Sequence, residues 1–265
     1  MRVVVCAKQV LDPDAVNNYA LSGGLTIGAD GKTLTQSAIP HLMNAYDEQA
    51  IEAALKLRDA GVDVNLAVVS LGPDPASILK HAAALGANEI VSIPVAADVE
   101  LDGPAVAGLL ASWIESTGGA DLVLCGRQAS DDDQGVVPAL IAERLGAPLV
   151  NVARAVEATG DGVRVTRPTP DGDQVVETAL PAVVTISNEL GEPRYPTTAQ
   201  TIKARRMKPT VVDAGSLGGV AAPRARVIKQ FVPTIQGHCE FIEGGSPAEL
   251  AEKLYGRLKA ENLLG

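Results

Sequence analysis

The segment richest in groups that could bind a small molecule is Cys125–Pro138, which reads Cys-Gly-Arg-Gln-Ala-Ser-Asp-Asp-Asp-Gln-Gly-Val-Val-Pro. It leaves an apolar run (Leu122-Val123-Leu124) and enters an Ala/Leu-rich stretch, so it connects a buried strand to a helix. Backbone N–H groups at a helix start are unpaired and lie at the positive end of the helix dipole, which suits an anion. Gly126 and Gly135 permit a tight backbone, and Arg127 can supply a positive charge. Asp131, Asp132 and Asp133 pull the other way, because three consecutive carboxylates repel a phosphate. A solvated acidic turn capping the helix and an anion site are therefore equally compatible with this loop. The Gly-x-Gly-x-x-Gly pattern of ordinary dinucleotide sites is absent.

Three further segments join it. Cys6-Ala7-Lys8-Gln9-Val10 ends the first apolar run with small residues, which let a ring or another backbone approach. Asn44-Ala45-Tyr46-Asp47-Glu48 opens a long amphipathic stretch, with Asn44 as the simplest N-cap and Asp47 or Glu48 in the first turn. Ser70-Leu71-Gly72-Pro73 follows a second apolar run. Together these place four strand ends or helix starts on one edge of a sheet, the geometry of an adenine-nucleotide pocket. Against this, His41, His81 and His238 are far apart in sequence, and Gly-x-Ser-x-Gly, His-Glu-x-x-His and the P-loop lysine motif are all missing. Cys6, Cys125 and Cys239 have no metal-ligand or disulfide spacing. The expectation is binding, with no catalytic residue and no metal.

The elements that must hold these segments alternate. Strands are expected at 2–7, 64–71, 89–93 and 121–125, and helices at 46–60, 75–85, 103–116 and 136–145. The helix over 46–60 carries a one-sided stripe of Ala50, Ile51, Ala54, Leu55 and Leu57. Gly61 and Gly86 sit where a left-handed cap is wanted. Strand–helix alternation implies parallel strands and right-handed crossovers. Between Asp14 and Ser37 the pattern breaks, and Gly-Ala-Asp-Gly-Lys (28–32) reads as the tip of a surface hairpin. After residue 150 the pattern predicts an antiparallel excursion around Asp171-Gly172, ending in the buried strand Leu-Pro-Ala-Val-Val-Thr-Ile-Ser. Residues 188–238 show no period, and such a stretch suits wrapping another chain or disorder. A last helix is expected from Ser246, with Pro247 near its first position. The division expected is an α/β domain over 1–187 and an extension over 188–265.

The chain of 265 residues is 46% hydrophobic but only 3% aromatic, so its core is aliphatic, as in a helix-covered parallel sheet. Its net charge of -10 argues against nucleic acid or an anionic membrane as the main partner. No apolar run is long enough for membrane insertion, and the start, Met-Arg-Val-Val-Val-Cys, has no signal peptide of normal length. The expected location is cytoplasmic or a matrix-like compartment.

In order, these segments resemble the beta subunit of electron-transferring flavoproteins over nearly the whole chain. The matching blocks are the Lys8-Gln9-Val10 start, Met43-Asn44-x-x-Asp47-Glu48-x-Ala50-x-Glu52-x-Ala54-Leu55, Ser70-Leu71-Gly72-Pro73 and Gly126-Arg127-Gln128-Ala129-x-Asp131-x-Asp133. The most specific is Leu190-Gly191-Glu192-Pro193-Arg194-Tyr195-Pro196-Thr197, with Ile202-Lys203-Ala204-Arg205-Arg206-Met207-Lys208-Pro209 behind it. The resemblance implies an α/β parallel-sheet adenine-nucleotide-binding domain, Rossmann-like and nucleotide alpha-hydrolase-like, with an antiparallel excursion and a C-terminal arm.

It implies a heterodimer with a larger alpha subunit, a shared FAD, and AMP or a second FAD in the beta pocket. Nucleotide contacts would fall on Cys6, Ala7, Asn44, Leu71, Gly126, Arg127 and Asp133, Gln134, Gly135, Val136, Val137. Asp12 and Pro13 would face the flavin held by the partner. Leu190 would be the hydrophobic anchor for flavin dehydrogenases such as acyl-CoA dehydrogenase, within a loop that includes Glu192, Pro193, Arg194 and Tyr195. One departure concerns Val136 and Val137, where the family often has polar side chains; phosphate contact there would rest on backbone N–H groups and the helix dipole. AMP and FAD both stay open. An electron-bifurcating version, with its own FAD in the beta pocket, is the alternative; a stand-alone nucleotide-binding protein is a more distant one.

Overall fold

The computed structural model describes residues 1–233 and 239–264; His238 and the end of the unpatterned stretch lie outside them. Two compact units are present, Met1–Gln230 and Phe231–Gly265.

The first unit begins with β1 (Arg2–Ala7), β2 (Gln9–Leu11), α1 (Pro13–Leu21), β3 (His41–Met43) and α2 (Ala45–Asp59). Then β4 (Asn65–Gly72), α3 (Ala76–Leu85), β5 (Glu89–Pro94), α4 (Gly103–Ser116), β6 (Leu122–Gly126) and α5 (Val137–Leu145) continue the alternation. The chain goes on through β7 (Leu149–Ala153), β8 (Ala155–Ala158), β9 (Gly162–Thr169), β10 (Gly172–Ala179) and β11 (Ala182–Ile186) to α6 (Thr198–Arg206) and β12 (Thr210–Val211).

Seven strands form one sheet in the order β12-β5-β4-β1-β6-β11-β7, and every neighbouring pair in it is parallel. From β1 the chain adds β4 and β5 on one side, then returns to lay β6 on the other. The two windings separate between β1 and β6, so a crevice opens at their carboxyl ends. Aliphatic residues fill both faces. Val3, Val5, Val68 and Leu124 pack with Ile51, Leu55 and Leu79 of α2 and α3. Val4, Val69 and Val123 pack with Leu110, Trp113 and Ile141 of α4 and α5 on the opposite face.

The α/β class and parallel sheet expected from the alternation are present. Four local features differ in detail. α1 occupies the start of the stretch where the pattern breaks: Asp12 caps it by accepting from the N–H groups of Asp14 and Ala15, with Pro13 at its start. None of its residues is buried, which is why no apolar stripe marks it. The hairpin expected next is reduced to a single bridge between Ile27 and Leu34. In the excursion, β7 joins the main sheet in parallel, and only β8, β9 and β10 form the separate antiparallel sheet. Finally, 188–212 has structure of its own, since α6 packs on α3 and β12 extends the sheet beside β5.

In the second unit, α7 (Pro247–Ala260) opens with a capping box between Ser246 and Glu249. Arg257 pairs with Glu240 at 2.8 Å.

Candidate functional site

The crevice is built at the ends of β1 and β6. Asp47, in the first turn of α2, is buried, and its carboxylate accepts the N–H of Lys8 at 2.8 Å and of Gly126 at 2.9 Å. One side chain thus fixes the exits of both central strands. Burial pushes its carboxyl up to about 7 from an ordinary 3.8, against the opposing pull of the Lys8 and Gly126 N–H groups.

Asn44 stands at the N-cap position, but its side chain does not cap the helix. Its amide donates to the Gln128 carbonyl at 2.8 Å, and its Oδ1 accepts from the Ser130 N–H at 3.3 Å. The start of α2 therefore staples the 126–135 loop across the sheet edge. Gly126 is required by closeness, since a Cβ there would lie 2.7 Å from the Tyr46 Cβ. Gly135 is required twice over: its φ is +62°, and a Cβ would meet the Arg127 carbonyl oxygen at 2.8 Å.

The loop places its charges unevenly. Lys8 Nζ bonds Asp131 at 2.7 Å and Asp132 at 3.2 Å, so the acidic run is partly neutralised by the residue that follows β1. Asp133 accepts from Gln128 Nε2 at 2.7 Å. Arg127 stacks over the Tyr46 ring, 5.6 Å from its centroid, and its N–H bonds the Ile186 carbonyl. Beyond the loop, the N–H groups of Gly135, Val136 and Val137 have no acceptor among the described residues, as the first turn of a helix requires.

These parts enclose a cleft of about 320 Å³, within the usual range for small-molecule sites. Cys6, Ala7, Asn44, Leu71, Gly126, Gln134, Gly135, Val136 and Val137 line it; Arg127 and Asp133 do not. Lys8 and Asp47, which belong to the pocket segments but not to the contacts the resemblance implies, also line the cleft, as do Val106 and Leu110 of α4. Asp47 had a signal, its place in the first turn beside the Asn44 cap; the α4 residues had only helical period. The wall formed by Leu71, Val106 and Leu110 is apolar, suited to a flat ring. The segment that enters α5 adds free N–H groups to the same cleft, suited to an anion. Residues and group thus fit an adenine nucleotide in chemical kind. At the rim, Asp102 caps α4 through the Ala105 N–H and also accepts the Arg224 N–H at 2.5 Å, tying the chain after β12 to this edge.

The remaining predicted residues lie elsewhere. Asp12 caps α1, with its N–H on the Pro40 carbonyl at 2.8 Å. Leu190 is 7% exposed and packs against the core, whereas Tyr195 is 90% exposed. Arg194 is anchored within the chain: it grips the buried Glu52 of α2 through Nε (2.7 Å) and Nη2 (3.0 Å) and reaches Asp59 at 2.7 Å. Glu52 first, then Asp59, hold its guanidinium protonated more firmly than usual. Glu192 and Pro193 lie in the irregular segment between Leu190 and this grip.

A parallel sheet covered by helices, with a cleft at its switch point, places the chain in the doubly wound α/β class. Residues 32–216 match the family model described as the electron transfer flavoprotein domain. The chain is 30% identical over 279 residues to the electron transfer flavoprotein subunit beta of Megasphaera elsdenii, covering all of both chains. It is 32% identical over 262 residues to the human electron transfer flavoprotein subunit beta, covering 98% of this chain and 97% of that one. It is also 31% identical, over the full length of both, to the caffeyl-CoA reductase-Etf complex subunit CarD of Acetobacterium woodii. The chain belongs to the electron transfer flavoprotein beta-subunit family. Among the described residues, no helix is long and apolar enough to cross a membrane.

Proposed function

We propose that this chain pairs with a larger alpha subunit and passes electrons between a flavin dehydrogenase, of acyl-CoA dehydrogenase type, and a downstream acceptor, in the cytoplasm. The observation that supports this most is the cleft at the β1–β6 switch point in a chain of this family. An FAD shared with the alpha subunit supplies the one- and two-electron chemistry when bound. This chain's own residues bind and position. Leu71, Val106 and Leu110 offer an apolar slot for an adenine ring, and the N–H groups of Gly135, Val136 and Val137 receive a phosphate. Asp47 and Asn44 hold the slot's floor and its loop in register. Asp12 and Pro13 present the start of α1 to the partner's flavin, and the segment 190–196 meets the dehydrogenase with Tyr195 outermost.

The test is co-expression with a larger FAD-binding subunit, followed by purification and a flavin and nucleotide count. The expected product is a yellow heterodimer with one FAD and one AMP. Two FAD per heterodimer would favour the reading in which this cleft holds its own flavin and bifurcates electrons. A colourless pair, or no pair, overturns the proposal.

A further inference from the structure

Two thiols stand side by side at the floor of the cleft. Cys6 and Cys125 are the next-to-last residues of β1 and β6, and the two are direct partners in the parallel register of these strands. Both side chains lie on the face shared with Val4 and Val123. Both line the cleft, with 8% and 4% of their surfaces exposed, and neither is in a disulfide. The third cysteine, Cys239, is exposed and serves as an internal control.

Directly paired residues on neighbouring strands are about 4.8 Å apart, and their Cβ atoms point the same way. A disulfide asks for a Cβ–Cβ separation of about 3.8 Å, so these thiols can bond each other only if the strands shift. A single bridging atom between the two sulfurs fits the register better, and soft centres prefer thiolate ligands. Simple thiolate chemistry is disfavoured here: the hydrogen bond with Cys6, then burial, push the Cys125 thiol well above its ordinary value.

We infer that Cys6 and Cys125 form a dithiol site that captures one soft, thiophilic centre, of the class of a trivalent arsenical, from the cleft. With an organic arsenoxide the step balances without an oxidant. The arsenic–oxygen double bond and two S–H bonds break, two As–S bonds form, and the oxygen leaves with both protons as water. The centre then occupies the strand ends on which the nucleotide reading places its ligand, so capture and nucleotide binding exclude each other.

The probe is phenylarsine oxide added to the full, reduced chain, read by intact mass and by peptide mapping. One phenylarsenic per chain is expected, linking the peptides that contain Cys6 and Cys125. Cys6→Ala and Cys125→Ala each remove the chelate and should weaken capture by about a hundredfold, the scale of a lost second attachment, whereas Cys239→Ala leaves it unchanged. Capture that persists in both single variants, or that depends on Cys239, overturns the inference. So does a map on the wild-type chain without the Cys6–Cys125 link, and this decides the matter even if a variant fails to fold. Saturating AMP should slow capture; AMP that binds without protecting overturns the placement of the dithiol under the ligand. AMP that does not bind counts against the nucleotide reading, while the wild-type map still decides the dithiol.

Discussion

The carboxylate of Asp47 accepts the Gly126 N–H at 2.9 Å, and with its other oxygen it accepts the Lys8 N–H at 2.8 Å. The start of α2 thereby sets the spacing between the ends of β1 and β6. No hydrogen bond between those two strands could do so beyond the point where they part.

This clamp has a titration signature. The folded chain holds the Asp47 proton up to about pH 7, whereas the unfolded chain releases it near 3.8. Between these values the native state binds more protons, so this group's contribution to stability is full below about pH 4 and falls as pH rises to about 7, at most about 1.4 kcal/mol per pH unit. Asp47→Asn removes that slope. It also sets an amide NH2 against one of the two main-chain donors, costing about 1–3 kcal/mol at pH 5. Urea denaturation at pH 5 and pH 8 checks both; a slope equal to that of the wild type would clear Asp47.

Gly126 and Gly135 make a second pair of predictions. A Cβ at 126 must displace Tyr46, with atoms at 2.7 and 2.9 Å, and one at 135 meets a carbonyl at 2.8 Å with φ at +62°. Gly126→Ala should cost about 1–3 kcal/mol through overpacking. Gly135→Ala should cost a similar amount and, by moving the start of α5, weaken AMP binding more than it weakens the fold. Calorimetric titration with AMP, set beside thermal melts, separates the two.

Arg194 and Glu52 decide how the 190–196 segment is held. Glu52 is buried and bound in bidentate fashion, while Arg194 is about one-third exposed. Glu52→Ala should therefore cost about 1–3 kcal/mol, below the range for breaking a fully buried pair. Arg194→Lys cannot reproduce the two parallel bonds and should cost nearly as much as Arg194→Ala. Limited tryptic proteolysis after Arg205 should quicken in every one of these variants. Unchanged cleavage would mean that the segment is held by Leu190 alone.

Much of this was legible in the sequence. The parallel sheet was, because aliphatic runs of strand length alternate with stripes of helical period. The cleft residues at strand ends were too, because Gly and small residues mark those ends. α1 was not, since a helix with no buried residue leaves no periodic trace; only Asp12-Pro13, a cap followed by proline, announced it. α6 buries only Ala204, and its one signal was the capping box Thr197-x-x-Gln200. The grip of Arg194 on Glu52 was not legible either, because the two lie 142 positions apart. Local pattern cannot reveal a pairing of that range.

Lys8 links the acidic run to ligand binding. Among the described residues its ammonium is the one basic group on the cleft wall, and Asp131, which does not line the cleft, holds it at 2.7 Å. An anionic ligand at the start of α5 competes with that carboxylate for the same charge. Both side chains are about 40% exposed, so the pair falls in the surface range of about 0.2–1 kcal/mol. Asp131→Asn should therefore tighten AMP binding, by up to about fivefold at low ionic strength, the equivalent of 1 kcal/mol. The gain should shrink in high salt, where exposed charges are screened. AMP titrations of both forms at low and high salt would show it. A variant that binds AMP no better than wild type at low salt would place the phosphate on the backbone N–H groups alone, out of reach of Lys8.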